Sequence, residues 1–329
     1  MKFVVRIPLA STFGALAFVC GAWLSPPALA QEYPTRTVTL VVPTSPGTGA
    51  DITARIFAPR LQQVFDRAFV VDNRTGASGN IAVASVVRAA PDGHLLLLTP
   101  STLAVTPLMT RNIGWDPVRD LQPVALLSYI TYVLLVNPAV PVQDVRGLIA
   151  LAQQKPGVLN YGSPGTGTPH QLAMELFKQV AGIDITHVPY KGTAPALTDL
   201  VGGRVDAAFF PVHNTVQYAR SGRLRMLGSV AARRTPWTPD LPTLAEQGVV
   251  GVDVDAWIGV YAPVGTPAEI VSRLTREFLA LINQPEIRDN LYQQGIVANP
   301  GGPEDLARLL KADLARYRKV IEQAGIPIE

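Results

Sequence analysis

Two segments of this sequence combine glycine with hydroxyl side chains in a pattern that can bind an anion. The first spans residues 43–51 and contains Gly47 and Gly49, and the second spans residues 161–170. Glycine permits backbone conformations and close approach that larger residues forbid. Where such a segment leads into a helix, the unpaired N–H groups of the first turn favour a negative charge. These segments therefore predict an anion site formed largely by backbone and hydroxyl groups.

Helix-start signals accompany these segments. Thr168 followed by Pro169 is typical of an N-cap and a first helical position. Asp51 is open to two interpretations, a ligand contact or the N-cap of the helix that follows. Residues 188–195 and 99–102 form two smaller segments of the same kind, and Lys191 could contact an anion or form a structural salt bridge.

Two further polar residues are candidates for ligand contact. Asp206 could accept a bond from a ligand hydroxyl or ammonium group, or could pin a nearby loop. His170 is the histidine that adjoins the second segment. The predicted ligand-binding residues are Thr44, Ser45, Pro46, Gly47, Thr48, Gly49, Asp51, Thr99, Ser101, Ser163, Gly165, Thr166, Gly167, Thr168, His170, Gly192, Thr193, Ala194 and Asp206.

The sequence offers little support for catalysis. None of its four histidines has the i, i+4 spacing of a helical metal site. Gly165 and Gly167 lack the third glycine of a dinucleotide fingerprint, and neither a P-loop nor a nucleophile elbow is present. Ser163 and His170 could imitate a Ser–His pair, but no third orienting residue is evident. We therefore predict no metal, no cofactor and no enzyme activity, with a Ser163-dependent hydrolase as the less favoured alternative.

The first thirty residues have the order of a secretory signal peptide. Lys2 and Arg6 precede an apolar stretch, and an A-x-A pattern ends at Ala30. A membrane anchor is the alternative, but the apolar run is short for a membrane span and two prolines close it. Residues 1–30 are therefore predicted to be a signal peptide cleaved near Ala30, which places the mature chain in the periplasm. Cleavage there would also remove Cys20, the only cysteine.

Strand-like and helix-like segments alternate along the rest of the chain. A β-α-β-α-β order spans residues 38–98, and the pattern restarts near residue 133. This alternation favours an α/β fold with two doubly wound lobes. The predicted organisation is lobe 1 at residues 31–129 plus 259–329 and lobe 2 at residues 130–258. Because ligands bind at the carboxyl ends of strands in such sheets, a donor-rich segment from each lobe is expected to face a shared cleft.

At these segments the sequence resembles the tripartite tricarboxylate transporter substrate-binding proteins, also called Bug receptors. The ordered matches extend over nearly the whole mature chain and include Val41-Val42-Pro43, Val71-Asp72-Asn73-Arg74, Ala90-Pro91-Asp92-Gly93, Tyr161-Gly162-Ser163, His187-Val188-Pro189-Tyr190-Lys191-Gly192 and Gly265-Thr266-Pro267. The resemblance implies a type II periplasmic-binding fold with a ligand cleft and a hinge. It also implies a ligand carboxylate held by backbone N–H groups, hydroxyls and waters, with the first two segments as carboxylate sites and residues 192–194 as a further wall.

The resemblance further implies a function and partners. The protein is expected to be a monomeric receptor that captures a small mono- or dicarboxylate for the membrane subunits of a tripartite tricarboxylate-type transporter, or, as an orphan receptor, for a sensor kinase. The formal net charge of +3 comes with no basic run, so no nucleic-acid partner is predicted. Family members usually carry a phenylalanine and a Gly-Gly pair where this chain has residues 44–49, so a more polar ligand group is expected there. Aliphatic diacids, amino acids, hydroxy acids and aromatic acids all remain open as ligands.

Overall fold

The computed structural model describes residues 1–4, 33–235, 237–252, 254 and 256–328. The predicted signal peptide beyond residue 4, together with Cys20 and the cleavage site near Ala30, lies outside the described residues. The chain divides into two compact units, Met1–Tyr33 and Pro34–Glu329, and the strands and helices given below belong to the second unit.

The first half of the fold is built on a six-stranded sheet. In spatial order its strands are β11 (Ile296–Gly301), β4 (Leu121–Ile130), β10 (Ala256–Pro263), β3 (Leu95–Pro100), β1 (Val38–Val42) and β2 (Phe69–Asn73). Strand β1 is a β-branched and leucine run that is almost entirely buried, as a central parallel strand should be. It pairs in parallel with β2 and β3, whereas β10 is antiparallel to both β3 and β4.

The second half is built on a five-stranded sheet. Its strands, in spatial order, are β7 (Thr186–Pro189), β6 (Asn160–Ser163), β8 (Ala207–Pro211), β5 (Tyr132–Val136) and β9 (Arg225–Ser229). Strand β6 pairs in parallel with β7 and β8, whereas β5 is antiparallel to β8 and β9.

The two sheets share one strand order. In each sheet, three parallel strands lie side by side, and an antiparallel strand lies next to the third of them. That antiparallel strand is β10 in the first sheet and β5 in the second, and the chain reaches it directly after crossing from the other sheet. The chain leaves the first sheet at Thr131 and returns between Ser229 and Ala256. Lobe 1 was predicted to resume at residue 259, and the first sheet resumes slightly earlier, at Ala256. The lobe boundaries themselves stay a prediction.

Ten α-helices of the described residues pack around the sheets. They are α1 (Gly49–Phe65), α2 (Asn80–Val87), α3 (Thr102–Met109), α4 (Val145–Gln154), α5 (Pro169–Ala181), α6 (Thr193–Val201), α7 (Val212–Arg220), α8 (Ala268–Ile282), α9 (Pro285–Gln293) and α10 (Pro303–Ala324). Short 3₁₀ turns occupy Ala77–Gly79 and Ala245–Gln247. Among these helices, none has the length and apolarity that crossing a membrane requires.

The alternating pattern locates most of these elements within a few residues. The sequence pattern predicts a helix over Val145–Gln154, and α4 has these bounds. The pattern also predicts a helix from Ile52, and α1 begins three residues before it. Helices α3, α7 and α9 and strands β4 and β11 are not predicted from the sequence. Pro107 lies inside α3 and Pro123 inside β4, and an internal proline argues against either kind of element.

The two halves touch at several places around the cleft between them. Trp237 packs on the core of the second half and also stacks on Tyr292 of α9, with 4.7 Å between the ring centroids. Its Nε1 donates to the carbonyl oxygen of Tyr292 at 2.7 Å. Gly295 packs against His213 so closely that a methyl group would overlap it, and its φ of +71° also requires glycine.

A buried polar contact joins the last helix to the first sheet. Nε1 of Trp257 in β10 donates to Oδ2 of Asp313 in α10 at 2.7 Å, and both side chains are almost inaccessible. Burial raises the pKa of Asp313, while the bonds from Arg316 and Trp257 oppose that rise. The indole therefore satisfies an acceptor that has little access to water.

We expect Trp257→Phe to lower the free energy of unfolding by about 2 kcal/mol or more, because a buried carboxylate loses a donor and the smaller ring leaves a void. Urea denaturation of the purified chain measures this loss. Trp237→Phe is the matched control, because the same N–H is removed where the bond is exposed. Equal losses in the two variants would contradict the assigned role of the buried contact.

Candidate functional site

A cavity of ≈ 340 Å³ lies between the two halves, at the carboxyl ends of their parallel strands. The first half contributes the loop after β1, the turn after β2 and one side of α3, and the second half contributes the loop after β6. The lining residues are Pro43, Thr44, Ser45, Thr48, Thr75, Gly76, Ser78, Gly79, Thr102, Val105, Thr106, Met109, Thr110, Thr166, Gly167, Thr168 and Pro169. Most of these described residues carry hydroxyl groups, and none of them is charged.

The loop after β1 is held in place by its own hydrogen bonds. Thr48, at the N-cap of α1, donates its hydroxyl to the carbonyl of Ser45 at 2.9 Å. The N–H of Gly47 donates to Oδ2 of Asp51 at 2.8 Å, and the φ of +81° at Gly47 suits glycine. Because Thr48 Oγ1 donates to Ser45, it accepts from Thr44 Oγ1 at 2.6 Å.

The loop after β6 repeats this arrangement at equivalent positions. Thr168, at the N-cap of α5, donates its hydroxyl to the carbonyl of Gly165 at 2.8 Å. The N–H of Gly167, whose φ is +72°, donates to Oε1 of Gln171 at 2.7 Å. Each loop therefore places its N-cap threonine against the cavity, and each is held from behind by a side chain four residues beyond its glycine. The predicted cap at Thr168 with Pro169 as first helical residue is confirmed.

The two loops approach each other across the cavity. Met109, at the end of α3, lies against Gly167, and a methyl group added to that glycine would be 3.0 Å from Met109 Cγ. The structure thus brings together six of the predicted residues in one cavity: Thr44, Ser45, Thr48, Thr166, Gly167 and Thr168.

Asp51 supports the first loop and does not line the cavity. The N-cap of α1 is Thr48, so Asp51 lies in the first helical turn, and its side chain is buried. Burial alone would raise the pKa of Asp51, but hydrogen bonds from Arg55, the Gly47 N–H and Asn73 outweigh it and lower that pKa. The predicted N-cap role of Asp51 is therefore wrong. Its contact with a ligand stays a prediction, and Asp51 does not line the cavity.

Asp206 and His170 also lie elsewhere. Asp206 accepts from the N–H of Asn160 at 2.8 Å, at the opposite end of β6 from the cavity, so it pins a strand. The ring of His170 packs edge-on against Tyr132 and Phe210. Burial and the nearby His213 lower the pKa of His170 to about 3, so it is a neutral core residue at physiological pH. For these two residues the prediction of ligand contact is not supported.

Ser163 is fully buried, and its hydroxyl contacts His187 instead of His170. The Oγ atom lies 2.7 Å from Nε2 of His187 and donates to the carbonyl of Gly165 at 3.0 Å. Since Ser163 does not line the cavity and its proton goes to a backbone carbonyl, the geometry gives no support to the hydrolase alternative.

The other predicted residues do not line the cavity. Gly192 donates its N–H to the carbonyl of Pro164, so the loop after β7, which includes Thr193 and Ala194, supports the loop after β6. Gly47 borders a separate cavity of ≈ 330 Å³ beside α7 and α9. The remaining predicted residues that do not line the first cavity are Pro46, Gly49, Thr99, Ser101 and Gly165.

Sequence reasoning missed the turn after β2 and the side of α3 that complete the cavity. The turn carries Ala77 and Ser78 with φ values of +45° and +54°, which are uncommon for residues other than glycine and are found most often at functional sites. A usable signal was present, since residues 75–79 are rich in Thr, Ser and Gly and follow a strand beside β1. The contribution of α3 was hidden because the helix itself was not predicted.

Comparison with known proteins identifies a family and similar structures. Residues 53–326 match the model of the Tripartite tricarboxylate transporter family receptor. The R. palustris protein Rpa4515, solved with adipate, is 38% identical with a TM-score of 0.80, covering 90% of this chain and 99% of that one. Periplasmic binding protein BugD is 30% identical with a TM-score of 0.76, covering 90% and 99%. MatC (Rpa3494) from Rhodopseudomonas palustris, with bound malate, is 31% identical with a TM-score of 0.75, covering 88% and 100%. The predicted two-lobed α/β binding-protein fold is confirmed.

We expect Asp51→Asn to lower the free energy of unfolding by about 1–3 kcal/mol at neutral pH, because the buried brace loses its charge-assisted bonds. The folded-state pKa of Asp51 lies below the ordinary value of 3.8, so its stabilising contribution is present above that value. It is lost as the pH falls through the lower, folded-state pKa. Urea titrations should therefore show the two proteins converging in acid. Asp66→Asn, at an exposed carboxylate, should change little, and a pH-independent difference for Asp51→Asn would count against this assignment.

Proposed function

Because the chain belongs to the tripartite tricarboxylate transporter receptor family, we propose that it is a periplasmic receptor that captures a small organic mono- or dicarboxylate for a transporter of that type. Family membership agrees with the sequence resemblance and makes the protein a solute-binding receptor, not an enzyme. The observation that carries the choice of ligand is the uncharged, donor-rich cavity between the loops after β1 and β6.

A carboxylate suits this cavity although no cationic side chain lines it. Thr48 and Thr168, the N-caps of α1 and α5, both line the cavity, so the amino ends of both helices lie next to it. The amino end of a helix favours negative charge, and bonds from N–H to a carboxylate are charge-assisted. Thr48 makes no side-chain cap bond, so the N-cap side chain does not occupy the first N–H groups of α1.

The remaining lining indicates what else the ligand carries. Val105 and Met109 form an apolar strip that suits methylene groups. The Thr44 hydroxyl donates to Thr48, so the Thr44 oxygen offers the cavity lone pairs only. A ligand hydroxyl could donate to it, in line with the polar group expected there from the sequence. The cavity volume falls in the range of small-molecule sites.

The cellular setting follows from the same proposal. Residues 1–30 act as a signal peptide cleaved near Ala30, and the mature chain works in the periplasm as a monomer. Its closed, ligand-bound form would be presented to the membrane subunits of the transporter. The two solved relatives with adipate and malate are small dicarboxylate complexes, which supports this choice of solute.

A thermal-shift screen of the mature chain tests the ligand class. The probes are succinate, malate, adipate and benzoate, each with its amide. At least one acid should raise the melting temperature, because a ligand at about 100 times its Kd stabilises the folded state by about 2.7 kcal/mol. Its amide should not, and malate should exceed succinate if Thr44 accepts a ligand hydroxyl. Stabilisation by amides or sugars, and by no acid, would overturn the proposal.

Gly167→Ala should weaken binding of the best acid at least about tenfold, because the methyl group strains the backbone at a φ of +72° and pushes Met109 into the cavity. Isothermal titration calorimetry measures the change. Gly182→Ala is the matched control: its φ is +63°, and nothing lies within 4 Å of an added methyl group. The control should lose stability and keep its affinity. Equal affinity in both variants would remove the loop after β6 from the site.

A further inference from the structure

A continuous relay of hydrogen bonds runs behind the loop after β6. The N–H of Gly167 donates to Oε1 of Gln171 at 2.7 Å. The Nε2 atom of Gln171 lies 3.2 Å from Nδ1 of His187, and Nε2 of His187 lies 2.7 Å from Oγ of Ser163. Ser163 Oγ then donates to the carbonyl of Gly165 at 3.0 Å. The relay begins and ends on the backbone of the loop, and His187 at its centre does not line the cavity.

The donors and acceptors in this relay can be assigned from one end. A backbone N–H only donates, so the atom of Gln171 that faces Gly167 is the carbonyl oxygen. The Gln171 amide nitrogen therefore faces His187 as a donor, and Nδ1 of His187 must accept without a proton. The proton of the neutral imidazole then lies on Nε2 and is donated to Ser163. The relay is complete only when His187 is neutral.

We propose that His187 is a positioning residue for ligand binding, which holds Gly165 and Gly167 in place through Ser163 and Gln171 and couples the affinity for ligand to its own protonation. The proposal rests on the proposed function of the cavity. A second proton, on Nδ1, would face the amide N–H of Gln171. Gln171 would have to turn over, and its nitrogen would then oppose the N–H of Gly167, another donor.

The surroundings of His187 keep it neutral under ordinary conditions. The ring of Tyr161 in β6 stacks on the imidazole, with 4.8 Å between centroids. Burial lowers the pKa of His187, Glu175 in α5 acts to raise it, and Lys178 in the same helix lowers it again. The Glu175 charge is shared between Lys178 and the Tyr161 hydroxyl. The net direction is downward from the ordinary value of 6.5, so affinity is full near neutral pH and declines in acid.

Gln171→Glu distinguishes the proposed role of His187 from a purely structural one. A carboxylate at this position can accept both from the Gly167 N–H and from a protonated Nδ1, so it completes the relay with cationic His187. Affinity of the wild type for the best acid of the screen should fall about tenfold or more as His187 titrates. In Gln171→Glu that fall should disappear. His187→Phe keeps an aromatic ring that can stack on Tyr161 and should bind the acid weakly at neutral pH. Its affinity should not change over the pH range in which His187 titrates in the wild type.

The tautomer itself can be measured without any ligand. In ¹⁵N NMR spectra of the full mature chain, with His187 assigned by comparison with His187→Phe, Nδ1 should be unprotonated near neutral pH. The midpoint of the affinity loss should coincide with the imidazole titration. A proton on Nδ1 at neutral pH, or a wild-type pH profile in Gln171→Glu, would overturn the proposal. If no acid binds at all, the proposed function fails, while the NMR result still decides whether the relay exists.

Discussion

An anion held without a cationic side chain depends on backbone N–H groups that are fixed before the ligand arrives. An unbraced loop would lose conformational entropy on binding, and this loss would offset the charge-assisted bonds. Both loops at the cavity meet this requirement in the same way. Gly47 and Gly167 each donate a backbone N–H to a side chain four residues later, and Thr48 and Thr168 each bond back to the carbonyl three residues before.

The shared strand order of the two sheets explains why the loops can be alike. Strands β1 and β6 occupy equivalent places in their sheets, so the loops that follow them leave equivalent carboxyl edges. The chain crosses between the sheets just before the antiparallel strands β5 and β10, at Thr131 and between Ser229 and Ala256. Contacts such as Trp237 with Tyr292 and Met109 with Gly167 then join the two edges in the arrangement described here.

The sequence predicts the fold better than it predicts the site. Alternating patterns locate strands such as β1 and helices such as α4 because burial on a regular period marks the sequence directly. The sequence pattern does not show in which direction a polar side chain points. Asp51, His170 and Asp206 lie close in sequence to the right strand ends or loops. Their side chains, however, face the backbone behind the loop, an aromatic cluster and the far end of a strand. Helix α3 was missed because Pro107 and its threonines obscure its pattern, although it supplies the apolar side of the cavity.

The two braces differ in charge, and the difference follows from their surroundings. Asp51 is anionic close to the proposed anion site, and Arg55 pairs with it through both carboxylate oxygens, so the first loop stays nearly neutral as a unit. Gln171 has no such partner, since its amide faces the partly buried His187 and the carboxylate of Glu175 acts on the same imidazole. A carboxylate brace there would add a second negative charge close to Glu175, and this charge would favour protonation of His187 or of a carboxyl group. The neutral amide of Gln171 holds the same backbone geometry without adding a charge. The second loop then depends on the tautomer of His187, which does not line the cavity.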